Sequence, residues 1–455
     1  MTDYATFLER KTLRAPSSGH EVADSEIHPR LFPFQRDLVR WAMRKGRAAL
    51  FADTGLGKTG MQLEWARLTG ERTLILAPLA VAQQTIREAA LLDIDVTYAR
   101  HQGEASDGIT ITNYERLDGF DGSDYGAVVL DESSILKSFD GKTRTALIAS
   151  FAQTPYRLAC TATPAPNDIA ELANHAEFLS VMSRVEMLSA FFVHDDEGWR
   201  LKGHARDAFW KWLASWGMSL RKPSDLGYSD AGYDLPALSI EPTIIPVGWR
   251  PEGHLFASAP KGITERSALR RTTTAQRVES AVRLIAAEPD EQWIVWTGLN
   301  DEANAMTAAI PGAVNVQGSD TPEYKAENLS AFAAGDVRIM VTKPSIAGFG
   351  LNFQRCARMV FVGIGDSYEQ YYQAIRRCWR FGQQRPVTAH IVLTEPEETI
   401  FANVLRKERD AREMAAELAE HVAEYERAEI IGLSAKADYE PQVPMVLPSW
   451  IRRAA

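Results

Sequence analysis

Short apolar runs of strand length recur along the chain, each followed by a longer stretch of helical character. "AALFA" (48–52), "TLILAP" (73–78), "ITITNY" (109–114), "AVVLDE" (127–132) and "RLACTATP" (157–164) form one series. "WIVWTG" (293–298), "VNVQGS" (314–319), "VRIMVTKP" (337–344), "RMVFVG" (358–363) and "VTAHIVLT" (387–394) form a second. Continuous β-rich runs separated by helices mark parallel strands buried on both faces. Two series predict two α/β domains, at 31–180 and 241–395, after an N-terminal extension of residues 1–30. Between them, 181–240 reads as a small insertion. "FFVHDDEGWRLK" predicts a hairpin, and "GHARDAFWKWLASWGMSL" a helix whose Trp210, Leu213 and Trp216 spacing suits core packing. Pro223, Gly227, Gly232 and Pro236 mark a linker over 222–240. In the C-terminal part, 396–455, Met414, Leu418, Val422 and Tyr425 stand at helical spacing. They predict an amphipathic helix packed on its own domain, followed by a proline-containing tail.

The segment "QYYQAIRRCWRFGQQ" (370–384) predicts a helix with unlike faces. At about 100° per residue, Tyr368, Tyr371, Tyr372, Ile375 and Trp379 form one apolar stripe. Gln373, Arg377 and Arg380 lie near the opposite side, and Arg376 falls between the two groups. Ser367 and Gln370 form a capping box at the start, and Gly382 follows the last turn.

Composition narrows the class. A hydrophobic fraction of 45% and a charged fraction of 24% over 455 residues are those of a globular protein of two or three domains. No run of eighteen apolar residues predicts a membrane span, and the N-terminus reads as lacking an export signal. Cys160, Cys356 and Cys378 are isolated, without metal spacing, and read as reduced thiols of a cytoplasmic protein. A net charge of −10 excludes a generally basic nucleic-acid coat but leaves room for a local basic groove.

The chemistry begins at "FADTGLGKTG", which follows the 48–52 strand and opens a helix at Lys58. Thr54, Gly55 and Gly57 shape a loop whose backbone N–H groups can wrap a polyphosphate. Lys58 reaches its terminal oxygens, and the Thr59 hydroxyl can hold Mg²⁺. Ala52 replaces the first glycine of the usual pattern. "VVLDESS" then delivers Asp131 and Glu132 to a strand's carboxyl end, where α/β sheets bind ligands. Asp131 suits the metal, and Glu132 suits polarisation of an attacking water.

This order of motifs resembles superfamily 2 helicases, most of all the Swi/Snf-type branch of DNA translocases and its compact phage and prophage members. "LFPFQRDLVRW" is similar to the upstream glutamine motif, "LAPLAV" and "TNYERL" to strand-contacting motifs, and "DESSILKS", with Lys137, to the acidic motif. "CTATPAPN" resembles the coupling motif, with Thr161 and Thr163, and "IAGFGLNFQ" the glycine-rich motif, with Gly348, Gly350 and Asn352. "QAIRRCWRFGQ" matches the final motif, the most specific of the set. The resemblance covers roughly residues 30–395.

It implies two tandem RecA-like domains with a small α/β insertion and a C-terminal helix, using ATP and Mg²⁺. Gln35 is then expected to read adenine, Gly350 and Gln373 to line the nucleotide, and Arg377 and Arg380 to meet the γ-phosphate. Arg376 is expected to be structural or a surface charge. Thr112, Asn113, Thr342 and Lys343 are expected at a nucleic-acid backbone. The implied activity is a DNA helicase or translocase, monomeric, in phage-type replication or recombination, with duplex or single-stranded DNA as partner. Alternatives are the motor of a restriction or defence complex, an ATP-gated DNA-binding scaffold or loader, and an RNA helicase. Ser134 stands where many members carry His, so the coupling around it departs from the family pattern, and the chain is too short for the insertions of nucleosome remodellers.

Overall fold

The computed structural model describes residues 14–431, apart from 79–80, 138–140, 166–167, 196–197, 249–261, 348–351 and 366. The first domain carries strands β1 (Arg47–Ala52), β2 (Thr73–Ala77), β3 (Val96–Tyr98), β4 (Ile109–Asn113), β5 (Ala127–Asp131) and β6 (Tyr156–Cys160). An antiparallel hairpin follows, β7 (Phe192–Asp195) with β8 (Gly198–Leu201), then β9 (Gly217–Leu220). The second domain holds β10 (Leu238–Ile245), β11 (Trp293–Thr297), β12 (Val314–Val316), β13 (Ile339–Thr342), β14 (Arg358–Val362) and β15 (Val387–Thr394). The first sheet runs β3-β4-β2-β5-β6-β1-β9 and the second β10-β15-β14-β11-β13-β12, with every pairing parallel. The architecture is therefore α/β, two tandem RecA-like domains with helices around them, as the sequence leads one to expect.

Each central strand is buried on both sides because its alternate residues feed different cores. Leu74 and Leu76 of β2 point into one cluster, Ile75 and Ala77 into the other. In the second domain Ile294 and Trp296 of β11 oppose Trp293 and Val295 in the same way. Fully burying one such aliphatic side chain contributes roughly 1.5–3 kcal/mol. That pattern keeps the strands rigid enough for their carboxyl ends to carry chemistry.

Two features differ from the sequence expectation. The Trp-rich segment is not a separate insertion. Trp210, Leu213 and Trp216 are buried in the first domain's core, and β9, which follows them, closes the edge of its sheet beside β1. Similarly β10, partly within the expected linker, pairs with β15 along its whole length. Pro242 is tolerated there because β10 is an edge strand.

The C-terminal helix (Glu398–Ile431) is the second difference: it packs on both domains rather than its own. Its 34 residues span about 50 Å. Ile400, Phe401 and Val404 enter the second domain's core, whereas Val422 enters the first domain's. Tyr425 donates from its hydroxyl to Asp207 Oδ1 at 3.0 Å, Glu426 Oε1 accepts from Ser219 N at 2.6 Å, and Lys45 pairs with Glu429 at 2.9 Å. A periodic apolar stripe reveals that a helix packs, but not against how many bodies. No helix among the described residues is long and apolar enough to cross a membrane.

Burial pushes the Glu426 carboxyl well above its usual range, since only one backbone N–H is seen to offset its desolvation. Above about pH 4.3 the unfolded chain therefore releases this proton before the folded one does, and stability falls as pH rises. Glu426→Gln keeps the acceptor for Ser219 and removes the charge. Its melting temperature should exceed the native protein's by a few degrees at pH 8, with the gap closing toward pH 4.5. Thermal melts across pH check this; a gap independent of pH would contradict it.

Candidate nucleotide site between the two domains

The phosphate loop lies between β1 and the helix Lys58–Thr69. Gly55 and Gly57 adopt φ of 93° and 78°, the left-handed region that favours glycine. A Cβ on Gly57 would sit 2.2 Å from Gln35 Nε2, so the turn needs glycine for space as well. Gln35 braces this loop: Oε1 accepts from Phe32 N at 2.9 Å, and Nε2 donates to Leu56 O at 2.8 Å. The amide that the resemblance assigns to adenine thus already holds the loop, with one N–H and one lone pair left over. Lys58 Nζ donates to Ala52 O at 2.9 Å and Asp53 O at 3.4 Å, folding its ammonium over the loop. Thr59 follows it, half-buried.

The acidic pair sits at the end of β5. Asp131 is buried, and its Oδ1 accepts from Gln62 Nε2 at 2.8 Å. Gln62 stands one turn beyond Lys58 on the phosphate-loop helix, a spacing through which sequence could have flagged it. Glu132 has φ of 55°, a left-handed backbone uncommon for a residue with a side chain. Thr161 Oγ1 donates to Glu132 Oε2 at 3.5 Å and accepts from Thr163 N at 3.1 Å, so the coupling segment touches the acidic one. Burial raises both carboxyls' pKa values; Lys58 and Arg377 pull them back down. Asp131 with the Thr59 hydroxyl offers the hard oxygen donors that Mg²⁺ uses beside a phosphate. Among the described residues no cluster of three or more His, Cys, Asp or Glu could hold a metal ion.

The second domain supplies the arginine helix (Tyr368–Cys378), capped by Ser367 Oγ accepting from Gln370 N at 3.3 Å. Arg377 is buried and donates from Nη2 to Gln373 Oε1 at 2.9 Å. Its pKa is lowered to about 10 by desolvation, opposed first by Glu132. Gln373, expected to line the nucleotide, instead orients Arg377. Arg380 is half-buried, and its guanidinium has no hydrogen bond or ion pair among the described residues; burial and then Arg377 lower its pKa to about 9, opposed by Glu88.

Three expectations need correction. Arg376 is neither a surface charge nor turned away. It is 3% exposed and pairs through Nη2 with Asp53 Oδ2 at 2.5 Å, across to the phosphate loop. Tyr372 does not pack only on its own sheet; its hydroxyl donates to Asp53 Oδ1 at 2.6 Å. Thr112 and Thr342 are wholly buried, and their hydroxyls donate to Ala99 O at 2.8 Å and Val316 O at 2.9 Å, so neither faces a surface that a phosphate could reach. Asn113 is buried against the Tyr98 hydroxyl at 3.2 Å, and Lys343 is half-buried at the end of β13. Gly348 and Gly350 lie outside the described residues. At the departure from the family pattern, Ser134 Oγ donates to Glu369 Oε1 at 2.8 Å and Lys137 pairs with the same carboxylate, while Ser133 meets His175 Nε2 at 3.1 Å. The acidic motif thus reaches the second domain directly. Sequence missed Asp53 and Glu369, although a carboxylate inside a phosphate loop is itself a signal.

Residues 276–382 match the family model described as the helicase conserved C-terminal domain. The match covers most of the second domain and ends just after the two arginines. No curated protein matches the chain. Among solved structures, Dbp5 of S. cerevisiae bound to RNA and ADP BeF3 is similar with a TM-score of 0.54 at 11% identity, over 86% of this chain and 93% of that one. The Sulfolobus solfataricus SWI2/SNF2 ATPase core in complex with dsDNA aligns over 91% of this chain and 100% of that one, with a TM-score of 0.41 and 18% identity. The first likeness supports the two-domain fold.

Lys58→Ala should weaken binding of a fluorescent ATP analogue at least tenfold. Arg380→Ala should change that affinity less than about threefold while cutting turnover a hundredfold or more, within the range for an arginine finger. Equal losses of binding in the two variants would contradict these assignments.

Proposed function

We propose that the chain is a superfamily 2 nucleic-acid-stimulated ATPase of the Swi/Snf type, a DNA helicase or translocase. The observation that carries this reading is a set of charges near enough to act on one another: Lys58, Asp131 and Glu132 of the first domain with Arg377 of the second, and Arg377 in turn with Arg380. Burial lowers both arginines' pKa values, to about 10 and about 9, and a first-domain carboxylate opposes each shift, Glu132 for Arg377 and Glu88 for Arg380.

ATP enters as its polyphosphate draws Lys58 off the carbonyls of Ala52 and Asp53 onto the terminal oxygens. The loop N–H groups hold the β-phosphate at the start of the helix. Asp131 and Thr59 would hold Mg²⁺, which neutralises phosphate charge when bound. Glu132 accepts the proton of the attacking water, and the desolvation that raises its pKa makes it a stronger base than an exposed carboxylate. Arg377 and Arg380 stabilise charge on the γ-phosphoryl oxygens, so turnover requires the two domains to be together. Water adds to the γ-phosphorus as its bond to the β,γ-bridging oxygen breaks, leaving ADP on the loop and inorganic phosphate at the arginines; once that phosphate departs, both arginines lose their anion and the domains are free to separate. Lys343, half-buried at the carboxyl end of β13, is the proposed contact to a phosphodiester track, which it would grip without reading sequence. A phage-type replication or recombination process is the proposed setting.

ATP turnover measured in parallel with single-stranded DNA, duplex DNA and RNA tests this. DNA should raise turnover at least tenfold. Equal turnover with and without any nucleic acid would refute a motor, and stimulation by RNA alone would refute the DNA assignment.

A further inference from the structure

Chemistry at the γ-phosphate uses only one polar face of the arginine helix. With Tyr368 set to zero, Tyr371 and Ile375 fall at about 300° and 340°, in the core, and Gln373 and Arg377 at about 140° and 180°, with Arg380 just past the helix end. Tyr372, Arg376 and Glu369 occupy the band between, at about 40–100°, with the i, i+3, i+7 spacing of a continuous stripe. Every one of these three meets the first domain. Glu369 receives Ser134 and Lys137; Tyr372 and Arg376 both reach Asp53.

Asp53 is the centre of this contact. One oxygen accepts from the Tyr372 hydroxyl at 2.6 Å and from Thr54 N at 2.6 Å, and the other pairs with Arg376 at 2.5 Å. Arg376 also donates to Thr54 O at 3.3 Å, while its guanidinium lies over the rings of Trp379 and Tyr372 at 4.9 and 5.6 Å. The carbonyl of the same Asp53 accepts from Lys58. A single loop residue therefore carries the second domain on its carboxylate and the phosphate-gripping lysine on its backbone. The residue after Arg376 is Arg377. Any shift of the loop when a nucleotide displaces Lys58 is passed through Asp53 to the turn that aims Arg377, and the reverse.

We propose that Asp53, Tyr372 and Arg376 form an interdomain latch, three positioning residues that couple the shape of the phosphate loop to seating of the arginine helix. The proposal rests on the ATPase reading for its kinetic consequence, but not for its mechanical one. The charges support it: Arg376 is held charged despite its burial, chiefly by Asp53, and Asp53 is held below the usual carboxylate range, chiefly by Arg376 against its desolvation.

The kinetic test compares Asp53→Ala, Arg376→Ala and the double variant in DNA-stimulated ATP turnover. Each single change should lower kcat at least tenfold with the KM for ATP within about threefold. The double should be no worse than the poorer single, because both act through one contact. Multiplying losses, or a KM rise that accounts for the whole effect, would overturn the latch. Tyr372→Phe keeps the ring in place should the alanine variants misfold; it should lower kcat at least threefold, and an unchanged kcat would overturn the proposal.

The mechanical test needs no turnover. Leu91 and Tyr324 are exposed, on different domains, and Cys160, Cys356 and Cys378 are buried. Fluorophores on Leu91→Cys and Tyr324→Cys report the interdomain distance by energy transfer. Adding Arg376→Ala should broaden or shift that distance. An unchanged distribution would overturn the latch even if the protein proves not to be an ATPase, whereas a protein that shifts but never hydrolyses ATP would refute the motor alone.

Discussion

The structure depends on how charge is balanced where water is excluded between the two domains. Asp131 is buried and Glu132 beside it half-buried, and their desolvation by itself would push both toward protonation. Lys58 on one wall and Arg377 on the other oppose that push. Arg380, beside Arg377, has burial and a like charge acting against it. These carboxylates thus lean on Lys58 and Arg377, and Arg380 is offset by Glu88. In the proposed function a polyphosphate with a divalent ion adds charges of both signs to this set. Such a site is stable enough to fold, yet incomplete without its ligand.

Around that cleft the interface is built from short polar contacts rather than a wide apolar seam. Asp53 with Tyr372 and Arg376, and Glu369 with Ser134 and Lys137, fasten the arginine helix to two loops of the first domain. Contacts of this kind depend on angle and distance, so they can break as a set when domains rotate, whereas an apolar seam would slide. The C-terminal helix adds a third tie, anchored by Phe401 and Val404 on one domain and Val422, Glu426 and Glu429 on the other. Any separation of the two domains must bend or release that helix.

Sequence made much of this legible because strand burial and phosphate chemistry both leave local marks. The apolar runs located every central strand of both sheets, and the Gly-x-Gly-Lys-Thr and Asp-Glu pairs landed on one cleft. What it concealed were choices of partner. Arg376 falls midway between the helix's apolar and polar faces, and only the position of Asp53 in another domain decides which way it turns. Thr112 and Thr342 read as contacts to a nucleic-acid backbone, but each is covered, its hydroxyl taken by the carbonyl of Ala99, just after β3, or of Val316 in β12. Likewise the stripe along 398–431 fits one domain or two equally well. Local periodicity encodes burial, whereas partner identity is a property of the assembled fold.

The central claim, that one nucleotide completes the charge set of both walls, is tested most directly by a crystal structure with Mg²⁺ and a non-hydrolysable ATP analogue. The account predicts Lys58 Nζ withdrawn from the Ala52 carbonyl and bonded to a terminal phosphate oxygen, with Arg377 and Arg380 donating to the γ-phosphate from the opposite side. A nucleotide seated on the loop while both guanidiniums stay beyond hydrogen-bonding reach would contradict it.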